Sequence, residues 1–304
     1  MKSAITIRRA DPSSSLEQFV GKELGRPDEH VTVARPFIKW AGGKTKLLPE
    51  LLKRLPERFA TYHEPCVGGG ALFWSLAAKG SLRRAILSDT NGGLIDTYEA
   101  IRDSVQKVID LLSQMHNTEA FFKELRAQDP AAMSLPERAA RLVYLNKTCF
   151  NGLYRVNLSG QFNTPFGHYK SPNFCDEPNL TLCSAALRDS SIALSRASFE
   201  SILNRAKPGD LAYFDPPYLP SSKTSDFTAY TPGGFGLEDH LKLRDVALEL
   251  KGRGVNVMIS NSDVPAIREL YEGRVGFYID VVEARRDINS KGTGRGAVRE
   301  LIIR

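Results

Sequence analysis

Short apolar segments and longer amphipathic segments alternate along most of this 304-residue chain. The apolar segments have the length of β-strands and lie at residues 62–67, 84–88, 210–214, 255–260, 277–282 and 298–303. Amphipathic helices are predicted at residues 71–78, 94–112, 237–251 and 264–271. This alternation predicts an α/β fold in which a Rossmann-like, doubly wound sheet carries helices on both faces.

A different pattern interrupts the alternation. Helices are predicted from Glu119 and Pro136, and the Asn/Gly-rich stretch at 151–168 predicts a hairpin and a loop. The chain is therefore expected to have three parts. These are an N-terminal extension (1–34), a doubly wound domain (35–95 and 189–304), and a mostly helical inserted domain that carries the hairpin (96–188).

Composition limits the class of protein. With 42% hydrophobic and 25% charged residues the chain is typical of globular proteins rather than disordered or fibrous ones. It has no uncharged apolar run of about 18 residues and no apolar signal segment at its start, so we expect a cytoplasmic protein without a membrane partner. Its four cysteines form no Cys-x-x-Cys pair, and we expect free thiols rather than disulfides or a zinc site.

The net charge of +6 is unevenly distributed. Residues 138–170 contain five basic and no acidic side chains, interleaved with aromatic residues and with asparagines that include Asn157. This mixture is typical of surfaces that bind phosphates and bases, although a buried aromatic hairpin has the same composition. A second basic block surrounds the Gly-rich residues 292–296, where Arg295 is predicted to approach a DNA backbone; a solvated turn is the alternative.

A glycine turn and an acidic residue together suggest a nucleoside ligand. Gly68, Gly69 and Gly70 follow a predicted strand and precede a helix, but Phe73 replaces the third glycine of a dinucleotide fingerprint. Asp89 ends the next predicted strand, where its carboxylate can accept hydrogen bonds from both ribose hydroxyls. The pattern therefore favours a nucleoside without a pyrophosphate, and S-adenosyl-L-methionine is the foremost candidate.

The tetrapeptide Asp215-Pro216-Pro217-Tyr218 follows an apolar strand, at the end where α/β proteins bind ligands. The Asp215 carboxylate and the Pro216 carbonyl can accept the two N–H bonds of an exocyclic amine, and the prolines fix the turn. Tyr218 can stack on a base taken out of a duplex. The tetrapeptide thus predicts methyl transfer to a base amine, a reaction that needs no metal because a sulfonium methyl group is already activated.

Three motifs, in this order, resemble the Dam-type (D12 class) DNA adenine-N6 methyltransferases. They are Pro36-Phe37-Ile38-Lys39-Trp40-Ala41-Gly42-Gly43-Lys44, Glu64-Pro65-Cys66-Val67-Gly68-Gly69-Gly70 and Asp215-Pro216-Pro217-Tyr218. The resemblance extends from residue 36 to the C-terminus and includes residues 150–157, 161–167 and 260–263. It implies the S-adenosylmethionine-dependent methyltransferase fold, with a DNA-reading β-hairpin in the inserted, target-recognition domain.

The resemblance also implies roles for individual residues. S-adenosyl-L-methionine would be held by Trp40, Lys44, Glu64, Pro65, Cys66, Gly68, Gly70, Asp89 and Asp215. The target adenine would be held by Asp215, Pro216, Pro217 and Tyr218. DNA would be contacted by Lys39, Phe150, Asn151, Leu153, Arg155, Pro165 and Tyr169. Among these, Lys39 and Arg155 would each read a guanine and Phe150 would insert into the base stack, which implies a GATC-like target.

We therefore predict an adenine-N6 methyltransferase that acts on double-stranded DNA, associates with the nucleoid and works as a monomer. One alternative is the same chemistry on cytosine N4, RNA or a protein amide; relatives of those kinds more often have Ser or Asn where this chain has Asp215. Another is a catalytically inactive DNA-binding protein, which would require neither Asp215 nor Asp89.

Overall fold

The computed structural model describes residues 33–40, 42–157, 159–219, 234–285 and 297–304. Within these ranges seven strands form one sheet. They are β1 (Tyr62–Glu64), β2 (Ala85–Asp89), β3 (Ile192–Arg196), β4 (Leu211–Phe214), β5 (Asn256–Ser262), β6 (Ile279–Arg285) and β7 (Ala297–Ile303). The order across the sheet is β3-β2-β1-β4-β5-β7-β6. The first five strands are parallel, and β7 is antiparallel to both of its neighbours.

Helices accompany the sheet and build the inserted region. They are α1 (Leu48–Leu52), α2 (Ala71–Ala78), α3 (Gly92–Ser113), α4 (Glu119–Ala127), α5 (Leu135–Thr148), α6 (Glu177–Leu187), α7 (Leu237–Gly252) and α8 (Pro265–Tyr271). The longest, α3, begins at an Asn91 cap whose Oδ1 accepts a hydrogen bond from the Leu94 N–H at 3.1 Å.

Both faces of the sheet are buried, as strand β4 illustrates. Leu211 and Tyr213 pack into one hydrophobic cluster, whereas Ala212 and Phe214 pack into a second cluster on the opposite face. Because successive side chains of a strand point to opposite faces, β4 must be covered on both sides. The prediction of a doubly wound sheet is confirmed.

Three elements were not predicted from the sequence: α1, α6 and β3. Strand β1 is also shorter than the predicted 62–67, because the chain leaves the sheet after Glu64 to enter the glycine turn. Strand β3 lies at the edge of the sheet with much of its surface partly exposed, so it lacks the continuous apolar run that identified the central strands.

Strand order reverses between β1 and β4, since the chain continues outward to β2 and β3 on one side and to β5 on the other. In sheets of this kind ligands bind at that reversal, beyond the carboxyl ends of the strands. The strand ends bring Glu64, Asp89, Asp215 and Ser262 to this edge.

The inserted helices share a core with the sheet. One hydrophobic cluster contains Leu87 of β2, Tyr98 of α3 and Tyr144 of α5, and α3 runs unbroken across the predicted boundary at residue 95. The division of the chain at 95 and 188 stays a prediction. In the part of the chain that the structure describes, no helix is both long and apolar enough to cross a membrane. All four cysteines are free thiols.

Candidate active site

The glycine turn after β1 is shaped by close packing against Trp40. Gly68 and Gly70 have φ values of 48° and 65°, a region that favours glycine. A Cβ atom on Gly68 would lie 2.6 Å from Cδ1 of Trp40. Only glycine therefore fits beneath the Trp40 ring at position 68. Trp40 and Gly68, from two separate motifs, thus form one continuous surface.

Two buried aromatic side chains hold this turn from within. The Trp74 indole N–H donates to the Gly69 carbonyl at 3.1 Å, and the Tyr98 hydroxyl donates to the Gly68 carbonyl at 3.1 Å. Sequence reasoning missed both roles, because an aromatic residue in an apolar helical pattern gives no sign of a polar contact.

Asp89, at the end of β2, reaches the turn. Its Oδ2 accepts a hydrogen bond from the Gly68 N–H at 3.2 Å and its Oδ1 accepts one from the Asn91 N–H at 2.9 Å. Burial raises the pKa of this carboxyl group, and the backbone hydrogen bonds oppose that rise. A carboxylate has about four lone-pair sites, so capacity remains for the hydroxyls of a ligand.

Glu64 is a buried acid beneath the same edge. Its Oε2 accepts a hydrogen bond from the Tyr62 hydroxyl at 2.8 Å. Burial raises the Glu64 pKa to about 8, so the group is largely protonated at neutral pH. Next to it, Pro65 is buried, and burial raises the pKa of the Cys66 thiol, an effect that nearby carboxylates such as Asp89 increase.

Asp215 stands at the end of β4 and is the centre of a polar cluster. Its Oδ1 atom forms an ion pair with Lys44 Nζ at 2.7 Å and accepts a hydrogen bond from the Ser260 hydroxyl at 2.8 Å. The Ser260 oxygen also lies 2.9 Å from the Tyr213 hydroxyl. Burial raises the Asp215 pKa, whereas Lys44 and Ser260 lower it by stabilising the carboxylate.

Tyr218 covers the same cluster. The Lys44 ammonium lies 4.4 Å from the centre of the Tyr218 ring, and the Tyr218 hydroxyl donates to Glu300 Oε2 at 2.9 Å. Pro216 is buried between Asp215 and Tyr218. Lys44, predicted as a cofactor residue, therefore contacts the acid and the aromatic ring of the tetrapeptide directly.

His240, on α7, supports the tetrapeptide from behind and was not predicted. It is fully buried, its Nδ1 lies 3.4 Å from Asn261 Nδ2, and the nearby Pro217 backbone opposes the effect of burial on its pKa. Burial lowers the His240 pKa to about 4, so the ring is neutral at physiological pH.

Asn146 of α5 joins the Lys39 backbone to the start of the hairpin. The buried Asn146 amide accepts from the Lys39 N–H at 2.7 Å and donates to the carbonyls of Lys39 at 2.6 Å and Gly152 at 3.2 Å. The Lys39 ammonium lies 4.7 Å from the centre of the Tyr169 ring. The Tyr169 hydroxyl accepts from the Asn151 N–H at 3.0 Å. Three predicted DNA contacts, Lys39, Asn151 and Tyr169, are thus brought together.

The hairpin itself carries the remaining predicted DNA residues. Arg155 Nε donates to Asn163 Oδ1 at 2.7 Å across the hairpin. Phe150 has 46% of its surface exposed, and its N–H donates to the Pro165 carbonyl at 2.9 Å. Leu153 is half-buried nearby.

Asn157 forms the turn at the tip of the hairpin. Its Oδ1 accepts hydrogen bonds from the Ser159 and Gln161 N–H groups at 3.0 and 2.9 Å. These contacts give Asn157 a structural function in the turn, in addition to its predicted contact with DNA.

The basic residues of 138–170 do not share one surface. Arg138 forms an ion pair with Asp96 at 2.9 Å. Arg141 is buried and donates to the Leu125 and Arg126 carbonyls, capping the end of α4. Burial lowers the Lys147 pKa to about 8. Counting charges along the sequence could not show that these side chains are paired or buried, because their surroundings come from other helices and from the core.

The second basic block is described only in part. Arg295, predicted to contact DNA, lies outside the described residues. Arg299, which belongs to the same block, forms an ion pair with Asp263 at 3.0 Å. Over the described ranges, no group of three or more His, Cys, Asp or Glu side chains has the arrangement of a metal site.

The sheet order, the glycine turn after β1 and the acid-Pro-Pro-Tyr sequence after β4 define the class of protein: a methyltransferase of the α/β type. The family model of the D12 class N6 adenine-specific DNA methyltransferases matches residues 40–288, and the chain belongs to that family. It is therefore an enzyme that methylates adenine in DNA.

Relatives in several organisms agree with this assignment. The chain is 42% identical to the type II methyltransferase M1.LlaDCHI of Lactococcus lactis over 275 residues, covering 88% of this chain and 94% of that protein. It is 37% identical to the type II methyltransferase M.MjaIII of Methanocaldococcus jannaschii, covering 88% and 98%. It is 35% identical to the DNA adenine methylase of Escherichia coli, covering 88% and 94%.

Proposed function

We propose that the protein transfers a methyl group from S-adenosyl-L-methionine to N6 of an adenine flipped out of a GATC-like site in duplex DNA. The observation that carries the proposal is that β1, which leads into the glycine turn, and β4, which leads into Asp215, are neighbouring parallel strands. A methyl donor held at the turn and a base held by the tetrapeptide would then be neighbours.

The residues at the turn fit S-adenosylmethionine. Gly68 and Gly70 let the turn pack directly against Trp40 and Tyr98, which fixes its backbone, and Asp89 at the same turn retains acceptor capacity for a ribose hydroxyl. Glu200, just beyond β3, has a buried oxygen without a hydrogen-bond partner among the described residues, which suits a donor group of the ligand. We propose that Trp40, Glu64, Pro65 and Cys66 form the rest of this surface. When bound, the cofactor supplies a methyl group made electrophilic by its sulfonium centre.

Asp215 is proposed to orient the target amine. Its Oδ1 is occupied by Lys44 and Ser260, so Oδ2 is the oxygen proposed to accept one N6–H bond while the Pro216 carbonyl accepts the other. Holding both hydrogens directs the nitrogen lone pair out of the base plane, toward the methyl group. Lys44 opposes the rise that burial causes in the Asp215 pKa, and Tyr218 is proposed to provide the face on which the adenine stacks.

The hairpin is proposed to select the site. Arg155 and Lys39 would each bind the O6 and N7 edge of a guanine, and exposed Phe150 would fill the space that the flipped base leaves. Asn151, Leu153, Pro165 and Tyr169 would complete the surface against the DNA. Base flipping is part of the proposal, because the amine of a base paired inside a duplex cannot reach a partly buried carboxylate at the end of a strand.

The test is methyl transfer with labelled S-adenosylmethionine and duplex DNA of varied sequence, followed by mass spectrometry of the digested nucleosides. We expect N6-methyladenine within one short site. For Asp215→Ala we expect a fall in kcat of about a hundredfold to a thousandfold with DNA binding retained. Asp245→Ala, which removes an exposed acid on α7, is the matched control and should change neither.

Two outcomes would overturn the proposal. N4-methylcytosine as the product would establish the same chemistry on the other amine. Absence of base modification in every duplex, with S-adenosylmethionine bound, would establish a binding protein without transferase activity.

A further inference from the structure

Glu300 is a buried acid next to the proposed adenine site, and no motif included it. It lies in the middle of β7 and is 6% exposed. In the sheet it pairs with Ser262 of β5 on one side and with Val282 of β6 on the other. Its backbone is therefore fixed by strands on both sides, which makes Glu300 a rigid point of attachment.

The side chain of Glu300 is directed at the tetrapeptide. Along β7 the side chains alternate, and Ile302, two residues on, packs in the hydrophobic cluster that also contains Tyr213. Glu300 accordingly lies on the same face as Asp215 and Lys44. There its Oε2 accepts the Tyr218 hydroxyl hydrogen at 2.9 Å.

We infer that Glu300 is a positioning residue, which fixes the orientation of the Tyr218 ring so that the ring is ready to stack on the flipped adenine. This inference rests on the proposed role of Tyr218. A tyrosine ring can rotate about its own side-chain bonds unless a contact at its far end holds it. A charge-assisted hydrogen bond from its far end to a strand in the sheet removes that freedom before DNA arrives.

The hydrogen bond between Tyr218 and Glu300 also keeps two charged groups of the site apart. Tyr218 lies between the Lys44 ammonium, 4.4 Å from its ring, and the Glu300 carboxylate at its hydroxyl. A ring in this position separates the two groups while interacting favourably with each. If the ring rotated away, Lys44 would lose one of its contacts and the face offered to the base would be lost.

The test is a double-mutant cycle on Tyr218→Phe and Glu300→Leu, with Glu300→Gln as the conservative variant. Glutamine keeps an acceptor oxygen, so Glu300→Gln should retain single-turnover methylation within about threefold of wild type. Glu300→Leu should lower that rate about tenfold, which is the effect of one lost charge-assisted hydrogen bond. In the Tyr218→Phe background, Glu300→Leu should cause no further loss.

Two further readouts separate positioning from folding. The fluorescence of 2-aminopurine at the target should report weaker stacking of the flipped base in Glu300→Leu, while the KM for S-adenosylmethionine stays unchanged. The double variant replaces a partly buried polar pair with an apolar one and should unfold at a temperature at least as high as either single variant. Glu283→Gln, on an exposed acid of β6, is the control.

Equal rate losses for Glu300→Leu in both backgrounds would overturn the inference, because Glu300 would then act independently of Tyr218. Loss of activity in Glu300→Gln as large as in Glu300→Leu would also overturn it. Both results leave the proposed function intact, provided that wild type methylates adenine. Absence of methylation by wild type would instead refute the proposed function.

Discussion

Glu64 is an acid that the folded protein holds in its protonated form. Its pKa rises from 4.5 to about 8, mainly because the side chain is buried, and the neighbouring Asp215 charge adds to the rise. The sequence motif predicted Glu64 as a cofactor residue but could not predict its proton, since that depends on burial and on Asp215, 151 residues away in the chain.

The raised pKa of Glu64 makes stability depend on pH. The folded state keeps a proton that the unfolded chain releases above about pH 4.5, so this contribution is complete below that pH and is lost as the pH rises toward about 8. Within this window the free energy of unfolding should fall by up to about 1.4 kcal/mol per pH unit. Urea denaturation of wild type and Glu64→Gln at a series of pH values measures the difference, and the variant should show the smaller slope.

Asp89 and Asp215 also have raised pKa values, so the comparison must be made between variant and wild type and not on wild type alone. Glu124→Gln, at an exposed position on α4, serves as the control and should leave the slope unchanged. Identical slopes for wild type and Glu64→Gln would mean that Glu64 is ionised in the folded protein.

Elements were predictable where the segment itself carries the signal, either an apolar stripe at helical spacing or a continuous apolar run. Helix α3 follows that rule, and its buried positions Leu94, Tyr98 and Ile101 recur at helical spacing. Strand β3 does not, because it is a sheet edge of mixed side chains whose strand conformation depends on hydrogen bonds to β2. The contact between segments was the hardest to predict, since no local pattern encodes it.

Asn146 is the clearest case of such a contact. Its amide makes three hydrogen bonds that join α5, the Lys39 backbone and the turn at Gly152. We expect Asn146→Ala to lower the free energy of unfolding by about 3 kcal/mol, because it leaves buried backbone groups without partners at about 1–3 kcal/mol each. Chemical denaturation would measure this loss.

The same substitution should raise the KM for DNA more than the KM for S-adenosylmethionine, because Lys39 and the hairpin would lose their common support. Gln106→Ala, an exposed change on α3, is the control and should alter stability by no more than about 0.5 kcal/mol. A stable Asn146→Ala variant with normal DNA binding would contradict the proposed role of the Asn146 hydrogen bonds.

At the scale of the whole molecule, net charge indicated a polyanionic partner but not where the partner binds. The chain carries +6, yet Arg138, Arg141 and Arg299 are committed to internal ion pairs or helix caps. Long-range attraction to DNA depends on the summed field, whereas specificity depends on the few side chains free to reach the base edges. Composition indicates the long-range attraction to DNA, but only the structure shows which side chains are placed to give specificity.

Arg155 and Lys170 allow these two contributions to be separated. The Arg155 guanidinium is held against the Asn163 side chain at 2.7 Å and so has a defined direction, whereas Lys170 is an exposed lysine just beyond the hairpin. We expect Arg155→Ala to reduce discrimination at one base pair by about 1–3 kcal/mol while binding to altered sites changes little. We expect Lys170→Ala to weaken binding to all sequences equally and to reduce the salt dependence of log K by about one.

Competition binding on the target site and its single-base variants, repeated at several salt concentrations, distinguishes the two effects. Arg155→Lys is the informative intermediate: a lysine keeps the charge but loses the planar two-pronged geometry, so it should retain the salt dependence and lose most of the discrimination. If Arg155→Ala and Lys170→Ala each weakened binding to every site by one common factor, Arg155 would be a backbone contact. The site's sequence preference would then have to arise from Lys39 or from the shape of the DNA.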